Sequence, residues 1–441
     1  MGINIRRTGL SRFNFVSASP ERTLYIFNTF SLVGGIVYGL YYGVFLYKNT
    51  FSLSVLAMDG LLGGFGAWLG YLAGVAIVRR YGYGRCIKLA FGSWALVSLM
   101  TALMASNIAE WFMLIAVIKA LPGGMFAATA DTLMLREVTN KARNSYLQIK
   151  LALEFLAAVI LPTLIGALVR FNDGYRLAFL LSAIIYAAAL FVPLRLARPE
   201  LHFSVSGMLA IFKRPLYRRH AANRTLGAGF NQLNGFVIMI IPFLLLHDEL
   251  KLGLLTSAIA LMAGIVSIVM RRVKATHKLK LGFTSYTVRA LASLLFVSVW
   301  TAPILLVWQL VNKLVTPMHD PLQQGLDIHN DQLIMGADVK DRALDINVLN
   351  NTLLLVGTTI AYGAFYFITR LNPGDQRLLL QVLIMAFALW RFVNLAVSAN
   401  INRRAQALGL APADLTRAPL LPLLRSRLTA HAMTFRFVLA R

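Results

Sequence analysis

From residue 24 to residue 400 the chain repeats one pattern: about 20 or more mostly apolar residues, then a short polar break. A run of that length matches the ~30 Å hydrocarbon core of a bilayer. With no water there, backbone N–H and C=O groups must pair within the segment, which leaves the α-helix. The runs fall at about 24–47, 54–78, 86–106, 109–135, 145–169 and 176–196, then at about 225–246, 251–270, 282–301, 303–335, 344–369 and 377–400. Only 14% of the 441 residues are charged and mean hydropathy is +0.67, where a soluble domain is about a quarter charged. The pattern predicts an all-α polytopic membrane protein with 12 transmembrane helices.

The formal net charge of +25 invites a nucleic-acid reading, but its distribution argues for topology. Of 43 Lys and Arg, 33 fall in the tails and loops of one side and 6 in the alternate loops. Cytoplasmic loops collect such residues, so both termini are expected in the cytoplasm. No folded soluble segment carries the charge, so no nucleic-acid partner is expected. Residues 1–23 have no apolar core of their own, so no cleavable signal peptide is expected. The lone Cys86 excludes an internal disulfide and a cysteine metal cluster.

The chain repeats itself. AGVAIVRRYGYGRCIKLAF (73–91) parallels AGIVSIVMRRVKATHKLKLGF (263–283), and DTLMLREVTNKAR (131–143) parallels DQLIMGADVKDR (331–342). Two similar six-helix halves follow, with a substrate site between them. The boundaries are an N-tail over 1–23, a first bundle over 24–196, a connector over 197–224, a second bundle over 225–400 and a basic C-tail over 401–441.

Specific residues sharpen this. RRYGYGR (79–85) forms a Gly-rich basic loop after the second span; Lys119 is followed by Gly123; Pro162 is followed by Gly166; GYRLAF (174–179) opens the sixth span. With the six-plus-six layout, the chain resembles the major facilitator superfamily. The resemblance implies a transporter whose gating loop holds Arg79, Arg80 and Arg85. It also implies that the tenth span lines the second half's side of the cavity. One departure is that Val78 or Arg79 stands where the family carries an acid before its loop Arg.

Polar residues inside the spans are the candidates for function, because they are costly in hydrocarbon. Lys119 is read as an anion binder or as the partner of a carboxylate such as Glu154. Glu154 is also the leading proton carrier, and Asp59 is read as reaching the headgroups. Asp131 beside Arg136 is read as a latch. Asn231 and Asn234 share a helix face, as solute hydrogen-bonders or as helix–helix glue, and Tyr38 is placed on the cavity wall. NKLVTPMHDPLQQGLDIHNDQ (312–332) is unusually polar. On a helical wheel Gln309, Lys313, Thr316, Asp320, Gln323, Gln324, Asp327 and Asp331 form one stripe. That stripe either lines a water-filled cavity or belongs to a helix that has left the membrane by residue 319. His319 and His329 point away from it, so no metal site is expected.

The expected function is secondary active transport of a small, polar, charged solute, anionic or zwitterionic, by alternating access. Lys119, Lys313, Asn231, Asn234, Gln324, Tyr38 and Asp320 would bind the solute. Glu154, Asp320 or Asp327 would carry a coupling proton (sodium being the other choice of ion). A lipid flippase and a transport-dead receptor of the same fold are the alternatives. No nucleotide loop or catalytic triad pattern is present, so neither an enzyme nor a cofactor is expected. A monomer in the inner membrane, in contact with lipid, completes the expectation.

Overall fold

The computed structural model describes residues 20–136, 140–171, 174–194, 196, 203–271, 275–335, 343–371 and 376–407. The predicted N-tail and C-tail lie almost wholly outside these residues. Helices dominate them, in chain order α1 (Pro20–Thr50), α2 (Leu53–Tyr81), α3 (Tyr83–Leu103), α4 (Ile108–Arg136), α5 (Asn140–Val169) and α6 (Gly174–Leu190). After the short α7 (Val205–Lys213) come α8 (Pro215–Leu246), α9 (Glu249–Arg271), α10 (Ala275–Ser298), α11 (Ala302–Met335), α12 (Ala343–Leu371) and α13 (Gln376–Ala407). Six long helices thus precede α7 and six follow it. Nine of the helices among the described residues are long and apolar enough to cross a membrane. Side chains such as Leu96, Leu103, Ile184 and Leu291 are exposed, a surface that suits lipid and not water.

Two details differ from the sequence pattern. α8 starts at Pro215 and not near 225, because Pro is pre-organised for a first helical turn. The connector also contains a helix, α7, whose N-terminus is capped by the Ser204 hydroxyl accepting from the Gly207 N–H at 3.1 Å. The α2–α3 link is a single residue, Gly82, at φ 85°, a left-handed conformation that favours glycine. There the guanidinium groups of Arg80 and Arg85 lie 5.3 and 5.6 Å from the Tyr81 ring. Arg79, Arg80 and Arg85 are all exposed.

Close packing positions the centre of the molecule. α2 and α4 run side by side in backbone contact: a side chain at Gly70 would strike the Leu121 backbone, and one at Gly124 the Ala67 backbone. Between the halves, α2 meets α12 and α5 meets α9. Trp68 Nε1 donates to Thr352 Oγ1 at 3.1 Å, and Thr163 donates to the Ser257 hydroxyl at 2.8 Å. The loops α1–α2, α3–α4 and α5–α6 share one end of the bundle, called the far side below. The opposite end, which carries the α2–α3 joint with Arg79, Arg80 and Arg85, is called the basic side.

Candidate functional site

A buried ion pair sits between α2 and α4. Lys119 Nζ lies 2.7 and 2.6 Å from Asp59 Oδ1 and Oδ2. The two side chains are 17% and 13% exposed, so the pair is mostly desolvated and each charge needs the other. Counting inward from Ile108 and Leu53, Lys119 is ~16 Å and Asp59 ~9 Å below the far-side helix ends at 1.5 Å per residue. Helical side chains tilt toward the N-terminus, and the long Lys119 stem uses that tilt to reach up to Asp59.

Aromatic rings complete the site. Lys119 Nζ is 3.7 Å from the Tyr42 ring centroid. The Tyr42 hydroxyl donates to Asp59 Oδ1 at 3.2 Å. Tyr38 stacks on Tyr42 with centroids 5.3 Å apart, and its hydroxyl meets Thr101 at 3.0 Å. From the second half, the Tyr362 ring covers Gly60 beside Asp59 so closely that a side chain there would clash. The Tyr362 hydroxyl donates to the Gln232 carbonyl at 3.3 Å. Both halves therefore contribute to the walls around one pair.

Sequence reasoning offered Glu154 as one carboxylate partner for Lys119, beside an anion-binding role, and the headgroups for Asp59; the structure pairs Lys119 with Asp59 instead. Glu154 Oε1 lies 3.5 Å from Lys150 one turn earlier on α5, both over a third exposed. A narrow cleft toward the basic side is lined by Glu154, Lys150, Tyr25 and Asn28. The glycines at 60, 63, 64, 66, 70 and 74 were the overlooked signal. A helix face so rich in small residues packs against helices, which keeps Asp59 away from headgroups. Asp131 lies within electrostatic reach of Arg224 on α8, of Lys150 and of Tyr71. Its charged neighbours thus include a residue of the other half. The Arg136 side chain falls outside the described residues.

On α8, Asn231 and Gln232 are exposed and Gly235 faces open space. Asn234 instead accepts from the buried Arg289 of α10 at 3.1 Å. The two asparagines are therefore divided, one open and one tied to a neighbour within its half.

The α11 helix is continuous through the polar stretch. Its stripe is split lengthwise. Gln309 is buried and donates to the Ile238 carbonyl at 2.9 Å. Gln323 is buried and donates to Asn394 Oδ1 at 2.9 Å and Ser398 Oγ at 2.8 Å on α13. Asn223 of α8 donates to the same two atoms, each at 3.1 Å. Lys313, on the other edge of the stripe, is exposed. The side chains of Asp320, Gln324, Asp327 and Asp331 lie outside the described residues. His319 is fully buried against Ser285 and the Tyr286 ring.

The far side is clasped between the halves. Lys48 Nζ lies 2.7 Å from Glu249 Oε1, which also accepts from the Tyr175 hydroxyl at 2.8 Å. Arg170 lies 3.8 Å from Asp248. The Lys251 and Leu250 backbone N–H groups donate to the Asp248 carboxylate and hold it below the usual aspartate range.

A family model described as Major Facilitator Superfamily matches residues 62–318. Among solved structures, the chain is similar to a D-xylose-proton symporter, with a TM-score of 0.60 and 13% sequence identity, over 84% of this chain and 96% of that one. At that identity the likeness concerns the fold alone. No curated protein matches the sequence.

Proposed function

The chain belongs to the major facilitator superfamily of membrane transporters, and on that premise we propose that it carries a small anionic or zwitterionic solute, coupled to protons, by alternating access. The observation that supports this is the Asp59–Lys119 pair under Tyr42, walled by Tyr362 of the other half. While Asp59 is charged, Lys119 is satisfied and an anionic group gains little by approaching. A proton on Asp59 cancels its charge and leaves the Lys119 cation open to a solute carboxylate or similar group. Departure of the solute returns Lys119 to Asp59 and expels the proton. Proton and solute then travel together, and rocking of the halves moves both.

Around that exchange, Tyr38 and Tyr42 form the wall on α1, and Asn231 and Gln232 face the solute from α8. To Lys313 and Gln324, with the carboxylates Glu154, Asp320 and Asp327, we assign the passage of solute and proton beyond that exchange. In this reading the basic side is the cytoplasmic face of the inner membrane, and the protein acts as a monomer. Proton coupling accords with the similar fold being that of a proton symporter, while the charged site favours an ionic solute over a sugar.

Purified protein in proteoliposomes tests this. A thermal-shift screen of anionic and zwitterionic metabolites selects binders, since a ligand of the folded state raises the melting temperature. Uptake of a binder should follow an imposed inward proton gradient and collapse with a protonophore. Uptake indifferent to the gradient overturns the coupling, and binding confined to uncharged solutes overturns the substrate class.

A further inference from the structure

Among the described residues α7 is the one helix outside the two bundles, and it has a two-sided apolar surface. One edge packs inward: Ile211 is fully buried, with Tyr217, Ala221, Ile346 and Leu349 around it. The other edge is open among the described residues: Val205, Leu209 and Phe212 are 56%, 51% and 40% exposed. Their spacing of four and three residues puts them on one face. The helix is held rigidly: the Ser204 N–H donates to Asp345 on α12 at 2.9 Å, and Ser204 caps Gly207. Exposed Lys213, Arg218 and Arg219 adjoin it. Residues 203–219 contain no Asp or Glu.

We propose that α7 docks on the membrane surface, its Val205–Leu209–Phe212 edge entering the apolar boundary and Lys213, Arg218 and Arg219 meeting anionic lipid headgroups. Three arguments identify a lipid surface as the occupant. An exposed apolar stripe flanked by cations and lacking acids is complementary to an anionic interface. α7 joins directly onto α8 through Arg214 and Pro215, on the basic side from which that helix runs towards the bilayer. Because α7 is already folded and clamped, docking costs no helix formation. The clamp to α12 and the joint to α8 tie the docked helix to the second half. Lipid charge thereby acts on the part of the molecule that must tilt.

The test uses the full chain with Cys86→Ser, reconstituted in phosphatidylcholine vesicles with and without about a third phosphatidylglycerol. A spin label is placed at Leu209→Cys, or at Ala210→Cys about 100° round the helix as control. Collisions with oxygen report the membrane, and collisions with a water-soluble nickel chelate report water. With anionic lipid, the label at 209 should be oxygen-rich and nickel-poor and the label at 210 the reverse. Three cations favour docking about 100-fold over a neutral surface at low salt. The variant Lys213→Gln/Arg218→Gln/Arg219→Gln should lose that lipid dependence. A label at 209 as open to nickel as that at 210 in both vesicles overturns docking. An oxygen-rich label at 209 that ignores both lipid charge and the triple variant overturns the anionic part.

Discussion

Lys119 and Lys313 stand at equal depth in counterpart helices, each 11 residues past the first residue of α4 or α11. Their surroundings are opposite. Lys119 is held by Asp59 on a neighbouring helix and covered by Tyr42. Lys313 is exposed, and the acids nearest to it in sequence, Asp320 and Asp327, are on its own helix. α8, α10 and α13 contain no Asp or Glu, α9 has only Glu249 at its first position, and α12 only Asp345 near the basic side. The second half spends its polar residues on amides and hydroxyls instead: Asn223, Gln323, Asn394 and Ser398 join three helices. A buried ion pair can change state, because one proton removes half of it. An amide network cannot be switched that way and serves to hold helices in register. On the proposed mechanism the first half therefore carries the element that can be switched, while the second half's network holds its own helices in register.

Breaking the pair is the harshest test of that division. Asp59→Asn leaves the Lys119 cation uncompensated and should cost about 3 kcal/mol of stability, the low end for a buried pair that retains some solvent. Gradient-driven uptake should be lost, because the amide cannot take up and release the coupling proton. The double variant Asp59→Asn/Lys119→Gln should recover much of the stability and none of the uptake. Thermal unfolding in detergent and proteoliposome flux measure the two. Additive stability losses would mean that the pair is not coupled.

Gln323→Leu probes the second half in the same way. It removes two donated hydrogen bonds and leaves Asn394 and Ser398 still bonded to Asn223, so a stability loss of about 1–2 kcal/mol is expected. Uptake should stay within a few-fold of the parent. A folded Gln323→Leu protein with no uptake would place the amide network in the transport machinery and erase the contrast between the halves.

The contrast was only half legible beforehand. Twelve apolar runs and the Lys/Arg asymmetry announce helices and sides, because the bilayer imposes length and charge on the sequence itself. Pairing between helices leaves no such local mark. Asp59 and Lys119 are 60 residues apart, whereas Lys150 and Glu154 are an i, i+4 pair whose proximity any helix guarantees. The wheel of α11 puts eight polar residues on one stripe but says nothing of its orientation. Gln309 and Gln323 turn into the protein while Lys313 does not, and that depends on where α8 and α13 stand. α7 was missed because a run of 9 residues between basic segments is too short to stand out.

Glu249 links the comparison to motion. It joins the halves through Lys48 and Tyr175, yet Lys48 is nearly half exposed, so the clasp is worth only about 0.5–1 kcal/mol. Glu249→Gln should shift the balance of open and closed far-side states about 2–5-fold. With Cys86→Ser and Asn231→Cys, alkylation of position 231 by a reagent added from the far side should speed up by that factor. Unchanged alkylation would separate the clasp from the gate. A far larger change would make it the main lock between the halves.

The smallest effect is expected at Lys313. If the first half carries the switch, removing an exposed charge from the second should disturb transport much less than removing Lys119 does. Lys313→Gln should lower uptake by no more than a few-fold, mostly through a higher KM, since an exposed cation contributes attraction at a distance more than tight binding. The split stripe makes a sharper forecast about access. Single cysteines at 309, 313 and 323 lie on one helix face by periodicity, yet only 313 is open in the structure. A small aqueous thiol reagent should label 313 readily and leave 309 and 323 nearly untouched. Equal labelling of all three would show the whole stripe facing water, and α11 would then be a full cavity wall equivalent to α4. If Lys313→Gln abolished uptake as Lys119→Gln does, both lysines would belong to one site, and the solute would bridge the halves through two cations.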